Sequence, residues 1–462
     1  MSVYKNQQPS LKKFRLSFYI CAVVVILYLI KLIWNYWPDR SFQSWIPPRP
    51  APLKPIPVPP QSCSGKIVPR EQNGTFVAVI GTKTQLVAAY WEHRTGKKEV
   101  RVVAVMLRSE TVDYYCHLCC KGKLNSAKGV IDIIPYHFGF AYGTAYIMCP
   151  LPSGCETPSH IAVTSAADSK DKLEFLEVKN KKAKSDSFPY NFAVCFSTMY
   201  RFSNVLQLVQ SLEMMQLLGV NRVVIYKTSC NDDTQRILDY YTRKGLVEVI
   251  PWSMSRFLRV SRSWKPDVSP GDIHYYGQIP ALNDCIYRYM YQSRYVALHD
   301  TDELILPQSV NSWLELLPLL EKTYGVDRGY MFENYVFPIR PPPPSKTPPP
   351  QNHDWKNVSG VNILAHLYHE PATSLNRYNC KIIVNPRVVF YTAVHGEMSP
   401  QIGSRVDSKI ARMYHTRAPA QPKLTADQLI YDDRLLKYKD HLTRSVDTVL
   451  RDSGLLPQNS TQ

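Results

Sequence analysis

The pattern of apolar and polar positions begins with one long apolar run. Residues 16–34 are apolar apart from a few small or hydroxyl side chains and one charged residue, Lys31. A helix of this length rises roughly 28 Å, close to the hydrocarbon thickness of a bilayer. The run therefore predicts one membrane-spanning helix.

The residues on either side of this run predict its orientation. Basic residues precede it, namely Lys5, Lys12, Lys13 and Arg15. Basic flanks stay cytoplasmic, which makes residues 1–15 a cytoplasmic tail and the later residues lumenal. The alternative is a cleaved signal peptide, but no small-residue cleavage site follows the run. We expect a type II signal anchor, and its short span suits the Golgi membrane.

Proline is the dominant residue of the segment 35–62. Nine prolines lie between positions 38 and 60. Such a segment favours extended polyproline II and acts as a semi-rigid spacer. It predicts a stem between the membrane and the folded part.

Short β-rich runs separated by turn residues fill the segment 63–185. Strands at this spacing predict a small β-sandwich-like domain. This segment contains no catalytic constellation. A lysine-rich connector near residue 180 closes it and is expected to lie in solvent.

From residue 189 the pattern changes to strands that alternate with helices. Strands are predicted at 192–199, 222–227, 246–252 and 294–300, and helices at 204–218, 232–244 and 281–291. This alternation predicts a mostly parallel α/β sheet with right-handed crossovers. We expect a catalytic domain at 189–420 and a C-terminal helical segment and tail at 421–462. Dinucleotide-binding glycine motifs, Walker A motifs and nucleophile elbows do not occur, which disfavours dehydrogenases, P-loop enzymes and α/β-hydrolases.

Composition and charge leave the α/β prediction unchanged. The 462 residues carry a formal charge of +17, but the basic residues are spread along the chain. A nucleic-acid surface would cluster them, so no nucleic-acid partner is expected.

The predicted lumenal location indicates the chemical state of the cysteines. Ten of them lie after the apolar run, and an even number in an oxidising compartment predicts mainly disulfides, with the pairing left open. The sequence around Cys116–Cys120 could be half of a zinc site, but no second Cys/His pair follows at zinc-ribbon spacing. Sequons at Asn73, Asn357 and Asn459 fit a lumenal glycoprotein.

Candidate chemistry lies at the end of the predicted strand 294–300. Asp300 and Asp302 follow its apolar residues, and ligands of parallel α/β sheets bind at the carboxyl ends of strands. Two carboxylates at this spacing can turn toward one hard divalent cation. Such a cation can bridge a nucleotide diphosphate and neutralise its developing charge. The alternative is a solvated turn with Asp300 as a helix N-cap.

Several segments together resemble glycosyltransferase family 92. They are FAVCFSTMY, LLGVNRVVIYK, GQIPALNDCIYRY, YVALHDTDELILP, CKIIVNPRVVFYTAVHGE and MYHTR, between Phe192 and Arg417. The resemblance implies an inverting GT-A-type enzyme that uses UDP-galactose and Mn²⁺. It further implies β1,4-linked galactose on a glycan acceptor, galactose or fucose on N-glycans of glycoproteins.

The resemblance also implies roles for individual residues. Asp300 and Asp302 would bind the metal and the diphosphate, with Glu303 supporting their loop. His395 would be a third metal or diphosphate ligand, and a packing histidine is the alternative. His415 and Arg417 would close over the diphosphate, a role that suits a permanently charged guanidinium. The substrate-binding set is completed by Thr198 and Tyr226.

An inverting displacement also needs a carboxylate that takes the proton of the acceptor hydroxyl. Glu333, after a plausible strand, is the candidate, with Glu370 and Glu397 as rivals and a structural role as the alternative. Two other functions stay open: a lumenal binding or scaffold protein with a degenerate transferase domain, and a transferase of another UDP-sugar. A metal-dependent phosphotransferase or hydrolase is disfavoured, because no further clustered ligands follow neighbouring strands. The oligomeric state is left open.

Overall fold

The computed structural model describes residues 76–165, 173–183, 187–340 and 355–458, with Lys31, Cys63 and the backbone of Lys66–Ile67. The described residues from Cys63 onward belong to one compact unit, which is described below. Apart from Lys31, the predicted tail, signal anchor and stem lie outside the described residues. Among those described, no helix has both the length and the apolar character needed to cross a membrane.

The helices with described bounds are labelled in chain order. They are α1 (Val205–Leu217), α2 (Asp232–Arg243), α3 (Gln278–Tyr289), α4 (Trp313–Tyr324), α5 (Ser374–Tyr378) and α6 (Lys439–Asp452).

The strands are labelled in the same way. They are β1 (Lys66–Ile67), β2 (Val77–Ala78), β3 (Gln85–Glu92), β4 (Glu99–Leu107), β5 (Tyr115–Cys120), β6 (Lys123–Lys128), β7 (Val130–Ile133), β8 (Tyr142–Pro150), β9 (Pro158–Thr164), β10 (Glu174–Lys179), β11 (Tyr190–Met199), β12 (Arg222–Lys227), β13 (Val247–Pro251), β14 (Ser293–Leu298), β15 (Glu303–Pro307), β16 (Gly329–Phe332), β17 (Asn334–Pro338), β18 (Tyr368–His369), β19 (Lys381–Val384), β20 (Tyr391–Thr392), β21 (Met398–Ser399), β22 (Gly403–Arg405), β23 (Ala411–Arg417) and β24 (Ile430–Tyr431).

A seven-stranded sheet forms the centre of the α/β part, in the order β13-β12-β11-β14-β19-β16-β22. The strands β13, β12, β11 and β14 pair in parallel, whereas β19 is antiparallel to β14 and β16. The strands and helices predicted from 192 to 300 are confirmed with small shifts at their ends. A mixed α/β fold, with carboxyl ends of parallel strands along one edge, is therefore established.

Local sequence signals explain why the alternation of strands and helices could be predicted. Asn231 caps α2 by accepting a hydrogen bond from the backbone N–H of Thr234 at 3.0 Å, and two aspartates in the first turn favour the positive end of the helix dipole. Gly245, at φ +79°, ends the segment in a conformation that suits glycine.

The β-rich part is a ten-stranded sheet in the order β6-β5-β9-β10-β3-β4-β8-β7, in which β1 pairs with β10 and β2 with β3. Side chains of β3, β4 and β8 share one apolar core with side chains of β5 and β9. Disulfides Cys63–Cys119, Cys116–Cys149 and Cys120–Cys155 tie this part together, and Cys195–Cys285 lies in the α/β part. The prediction of disulfides rather than zinc is confirmed for these cysteines, while Cys230 and Cys380 are free thiols.

Helix α3 lies between the two sheets, and every one of its residues is buried. It contacts β11 and β14 on one side and β3, β4 and β8 on the other. Asp284 accepts hydrogen bonds from Tyr90 at 2.7 Å, from Tyr226 at 2.8 Å and from Arg288 at 3.0 Å. The predicted β-rich and catalytic segments therefore pack as one compact unit.

The C-terminal segment extends the same unit. Helix α6 packs against α1, and its residues Leu442, Val446 and Leu450 belong to the core of the α/β part. The folded core thus continues well beyond residue 420.

The disulfide Cys195–Cys285 joins β11 to α3 across 90 residues of sequence, and both cysteines are fully buried. We expect the double variant Cys195→Ala/Cys285→Ala to lower the free energy of unfolding by about 2–4 kcal/mol, because the unfolded chain loses a constraint. The matched control is Cys230→Ser, which removes a free thiol. Urea unfolding monitored by tryptophan fluorescence compares them, and equal stability of the two variants would contradict the role of the disulfide.

Candidate active site

A cavity of about 590 Å³ lies at the carboxyl ends of β11 and β14. Five of the site residues predicted from the sequence line it: Thr198, Asp300, Asp302, His415 and Arg417. Further lining residues that the sequence analysis missed are Ser197, Tyr200, Arg262, Tyr275 and Tyr276. The cavity therefore occupies the edge where α/β sheets bind ligands.

Asp300 is held by both of its carboxylate oxygens. Ser197 donates a hydrogen bond to Oδ1 at 2.6 Å, and the Lys381 ammonium lies 3.1 Å from Oδ2. Burial alone would raise the pKa of Asp300, but Lys381 and the hydrogen bond from Ser197 outweigh it and lower this pKa to about 2. Asp300 is therefore an oriented, ionised carboxylate.

Asp302 is as exposed as Asp300 but has fewer hydrogen-bond partners. Its Oδ2 lies 3.2 Å from Nε2 of His415, and among the described residues its Oδ1 has no hydrogen-bond partner. About a third (35%) of its side chain is exposed. Burial disfavours the charged imidazole of His415, but Glu303 and Asp302 raise its pKa. Asp302 therefore offers a free oxygen to a ligand in the cavity.

Glu303 lies behind the two aspartates and is buried. Its Oε2 accepts a hydrogen bond from the backbone N–H of Asp300 at 2.8 Å and lies 3.3 Å from the Lys381 ammonium. Burial raises its pKa, while Lys381 opposes the shift. Glu303 thus fixes the backbone of the aspartate loop.

Lys381, the first residue of β19, is a site residue that the sequence analysis missed. Its side chain is only 3% exposed and contacts both Asp300 and Glu303. Burial would lower the pKa of this ammonium, but the two carboxylates raise it well above the ordinary value. The available signal was a lysine that opens the otherwise apolar strand Lys381–Val384.

The donor set suits a hard divalent cation that is shared with a phosphate ligand. No group of three or more His, Cys, Asp or Glu side chains arranged for a metal occurs in the described part of the chain. Small divalent cations commonly take one or two carboxylates and complete their shell with water and substrate phosphates. Asp302, with its free oxygen, and the oriented Asp300 fit that mode of binding.

Four predicted site residues do not line the cavity: Glu303, described above, and three others. Tyr226 is fully buried and its hydroxyl binds Asp284 within the core, so its assignment to substrate is corrected. Glu333 lies between β16 and β17, and its carboxylate pairs with Arg377 at 3.2 Å. His395 packs on Trp264, with ring centroids 5.7 Å apart, and burial lowers its pKa to about 4.

An aromatic wall with unusual backbone closes one side of the cavity. Tyr275, Tyr276 and Gly277 have successive φ values of +26°, +53° and +74°. Tyr276 stacks on Tyr200, with ring centroids 4.3 Å apart, and Trp252 donates a hydrogen bond to its carbonyl oxygen at 2.9 Å. Left-handed backbone in non-glycine residues is costly and concentrates at ligand sites, and these stacked rings present a flat face to a planar ligand.

Comparisons with known proteins point to one family. Residues 190–452, more than half of the chain, match the family model described as glycosyltransferase family 92. Two glycosyltransferase family 92 proteins of Caenorhabditis elegans are 27% and 24% identical over 28% and 35% of this chain, and 25% and 32% of their own lengths. The beta-1,4-galactosyltransferase galt-1 of the same organism is 21% identical over 48% of this chain and 50% of its own. The alignments thus span between a quarter and half of the length of these relatives.

The solved structures that match include the glucosyl-3-phosphoglycerate synthase from Mycobacterium tuberculosis in complex with Mn²⁺, UDP and glucosyl-3-phosphoglycerate. It is 10% identical, covers 60% of this chain and 88% of its own, and has a TM-score of 0.24. A score this low supports no inference about this chain.

Replacing Lys381 by Met removes the buried ammonium that pairs with Asp300 and with the buried carboxylate of Glu303. We expect the free energy of unfolding to fall by about 3–5 kcal/mol, as for other broken buried ion pairs. Lys181→Met, which breaks the exposed pair with Glu177, is the matched control and should change it by less than about 1 kcal/mol. Thermal unfolding of both variants is the measurement, and a Lys381 variant as stable as the control would refute the ion-pair cluster.

Proposed function

The chain belongs to glycosyltransferase family 92, and we propose that it transfers galactose from UDP-galactose in β1,4 linkage, with inversion, to a glycan acceptor. The acceptor is galactose or fucose on N-glycans of glycoproteins. The beta-1,4-galactosyltransferase among the relatives supports the choice of donor sugar and linkage.

One observation carries the proposal: Asp302, with a free carboxylate oxygen, stands beside the oriented Asp300 in a cavity of about 590 Å³ at the end of β14. We propose that these two aspartates bind Mn²⁺, without His395, whose side chain does not line the cavity. Mn²⁺ bound there supplies the positive charge that stabilises the leaving diphosphate.

The other lining residues supply what a nucleotide-sugar needs. Arg262 and Arg417 are permanently charged and can bind phosphate oxygens. The stacked rings of Tyr200 and Tyr276 can pack against the face of a uracil base. Thr198 has a buried Oγ1 with no partner among the described residues, which suits a hydrogen bond to the donor.

We also propose a location in the Golgi membrane, as a type II protein with its catalytic part in the lumen. The basic N-terminus and the apolar run 16–34 support this orientation. The four disulfides support an oxidising compartment. Asn357, one of the three sequon asparagines, is exposed, as a glycan attachment site must be.

Asp302→Asn keeps the size of the side chain but removes its charge. In the full-length chain, purified in detergent, we expect turnover of UDP-galactose with Mn²⁺ to fall by about 10²-fold or more, since the charge that holds the cation is lost. The unfolding temperature should stay nearly unchanged, because a partly exposed carboxylate adds little to stability.

The control is Asp440→Asn, on the exposed surface of α6. The donor assay covers a panel of UDP-sugars, so that another donor would be recognised by its own turnover. A fully active Asp302→Asn variant would contradict the assignment of metal binding to Asp300 and Asp302. Turnover of a different sugar would correct the donor and leave the aspartates in place.

For Glu333, the structure changes the expectation that the sequence raised. Its carboxylate is paired with Arg377 and lies outside the cavity, so we propose that Glu333 is not the general base. Glu333→Gln should retain turnover within about threefold, whereas loss of a general base typically costs about 10²–10⁴-fold. Steady-state kinetics with Glu397→Gln in parallel decides the matter, and a collapse of turnover in Glu333→Gln alone would restore the original assignment.

A further inference from the structure

A second cavity, of about 210 Å³, lies beside the first. Its floor is formed by β17 and its walls by α5, Glu370 and the segment 420–421. It is smaller than pockets for drug-sized ligands, which span roughly 300–1,000 Å³. This size suits one monosaccharide ring better than a nucleotide.

The two cavities adjoin along the chain and across the sheet. The segment after β23 borders the first cavity with Arg417 and Ala418, and the second with Ala420 and Gln421. Val336, on the floor of the second cavity, pairs directly with His415 in the neighbouring strand. Paired residues share a face of the sheet and their strands lie about 4.8 Å apart. A ligand here would therefore be a close neighbour of the aspartate site.

The lining of the second cavity contains polar groups that have no hydrogen-bond partner among the described residues. Asn334 is 6% exposed, and its Oδ1 is buried without a hydrogen-bond partner among the described residues. The side chains of Asn379 and Ser374 likewise make no hydrogen bond within the described ranges. Buried polar groups are normally satisfied, so the orphaned Oδ1 of Asn334 points to a ligand that donates a hydrogen bond.

The charge of the lining selects the kind of ligand. Glu370 contributes a carboxylate, which accepts the backbone N–H of Gln421 at 3.1 Å. None of the described lining residues is Lys, Arg or His. A buried carboxylate in a lining without Lys, Arg or His disfavours anionic ligands, whereas amides, hydroxyls and a carboxylate suit the hydroxyl groups of a neutral sugar.

We propose that this second cavity binds a neutral hexopyranose of the acceptor glycan, next to the sugar that is transferred. The proposal rests on the proposed transferase function for the word acceptor, but the binding of the sugar is a property of the cavity itself. It predicts a preference for galactose-terminated glycans over their sialylated forms.

Two variants test the cavity in the full-length chain. Asn334→Ala removes the orphaned amide, and Ser374→Trp places a bulky ring from an exposed position into the cavity. Asn125→Ala, in the β-rich part, is the matched control. The probe is a galactose-terminated biantennary glycan, and its sialylated form is the comparison. Saturation-transfer NMR measures the Kd for each glycan without any donor, and calorimetry with Mn²⁺ measures the Kd for UDP-galactose without any acceptor.

The wild type should bind the neutral glycan about tenfold or more tightly than the sialylated one, because like charges oppose each other in the cavity. Asn334→Ala should raise the Kd of the neutral glycan about three- to tenfold, the loss of one neutral hydrogen bond. Ser374→Trp should abolish binding of the glycan, with the Kd for UDP-galactose unchanged in both variants. The proposal would be overturned if the Ser374→Trp variant still bound the neutral glycan. It would also be overturned if the wild type bound the sialylated form with equal affinity. If the glycan binds as expected but no UDP-sugar is turned over, the proposed function fails while the sugar site stands.

Discussion

The candidate site depends on the ion pairs that the buried ammonium of Lys381 forms with Asp300 and Glu303. The ammonium contacts Asp300 at 3.1 Å and Glu303 at 3.3 Å, and Glu303 in turn holds the backbone N–H of Asp300. Three carboxylates lie close together at the end of β14, and without a cation their mutual repulsion would open the loop. Because Lys381 is on β19, which pairs with β14, the sheet itself delivers the compensating charge. Asp302 is then left free to face the cavity.

Helix α3 supports this cluster from the interior of the fold. Helix α3 is buried between two sheets, and its polar residues are satisfied by partners from both. Gln278, at its first turn, donates a hydrogen bond to Ser197, which binds Asp300. The β-rich part therefore contributes to the site without lining the cavity, since it covers the helix from which this chain of hydrogen bonds begins. This is a physical reason for a second sheet that carries no catalytic constellation of its own.

Much of the α/β part could be predicted because its signals are local. Helix α2 has its cap, its acidic first turn and its terminating glycine within 15 residues of sequence. Asp300 and Asp302 were found because a strand end is recognisable from its own residues.

Lys381 could not be placed, since its partners are some 80 positions away and only the pairing of β14 with β19 brings them together. Tyr226 was assigned through the family resemblance, which does not reveal that its side chain lies in the core against Asp284. Glu333 was chosen for its proximity in sequence to a strand end, which does not fix the direction of the side chain, and its carboxylate pairs with Arg377.

We propose that Asp300 and Asp302 hold a divalent cation together with the diphosphate of a UDP-sugar. The most direct test of this proposal is an anomalous difference map from crystals of the protein grown with Mn²⁺ and UDP. The account predicts one strong peak within about 2.5 Å of an oxygen of Asp302, in contact with the diphosphate and with the uracil beside Tyr200 and Tyr276. A nucleotide bound in this cavity without a metal peak at Asp302, or a metal and nucleotide bound elsewhere on the chain, would contradict it.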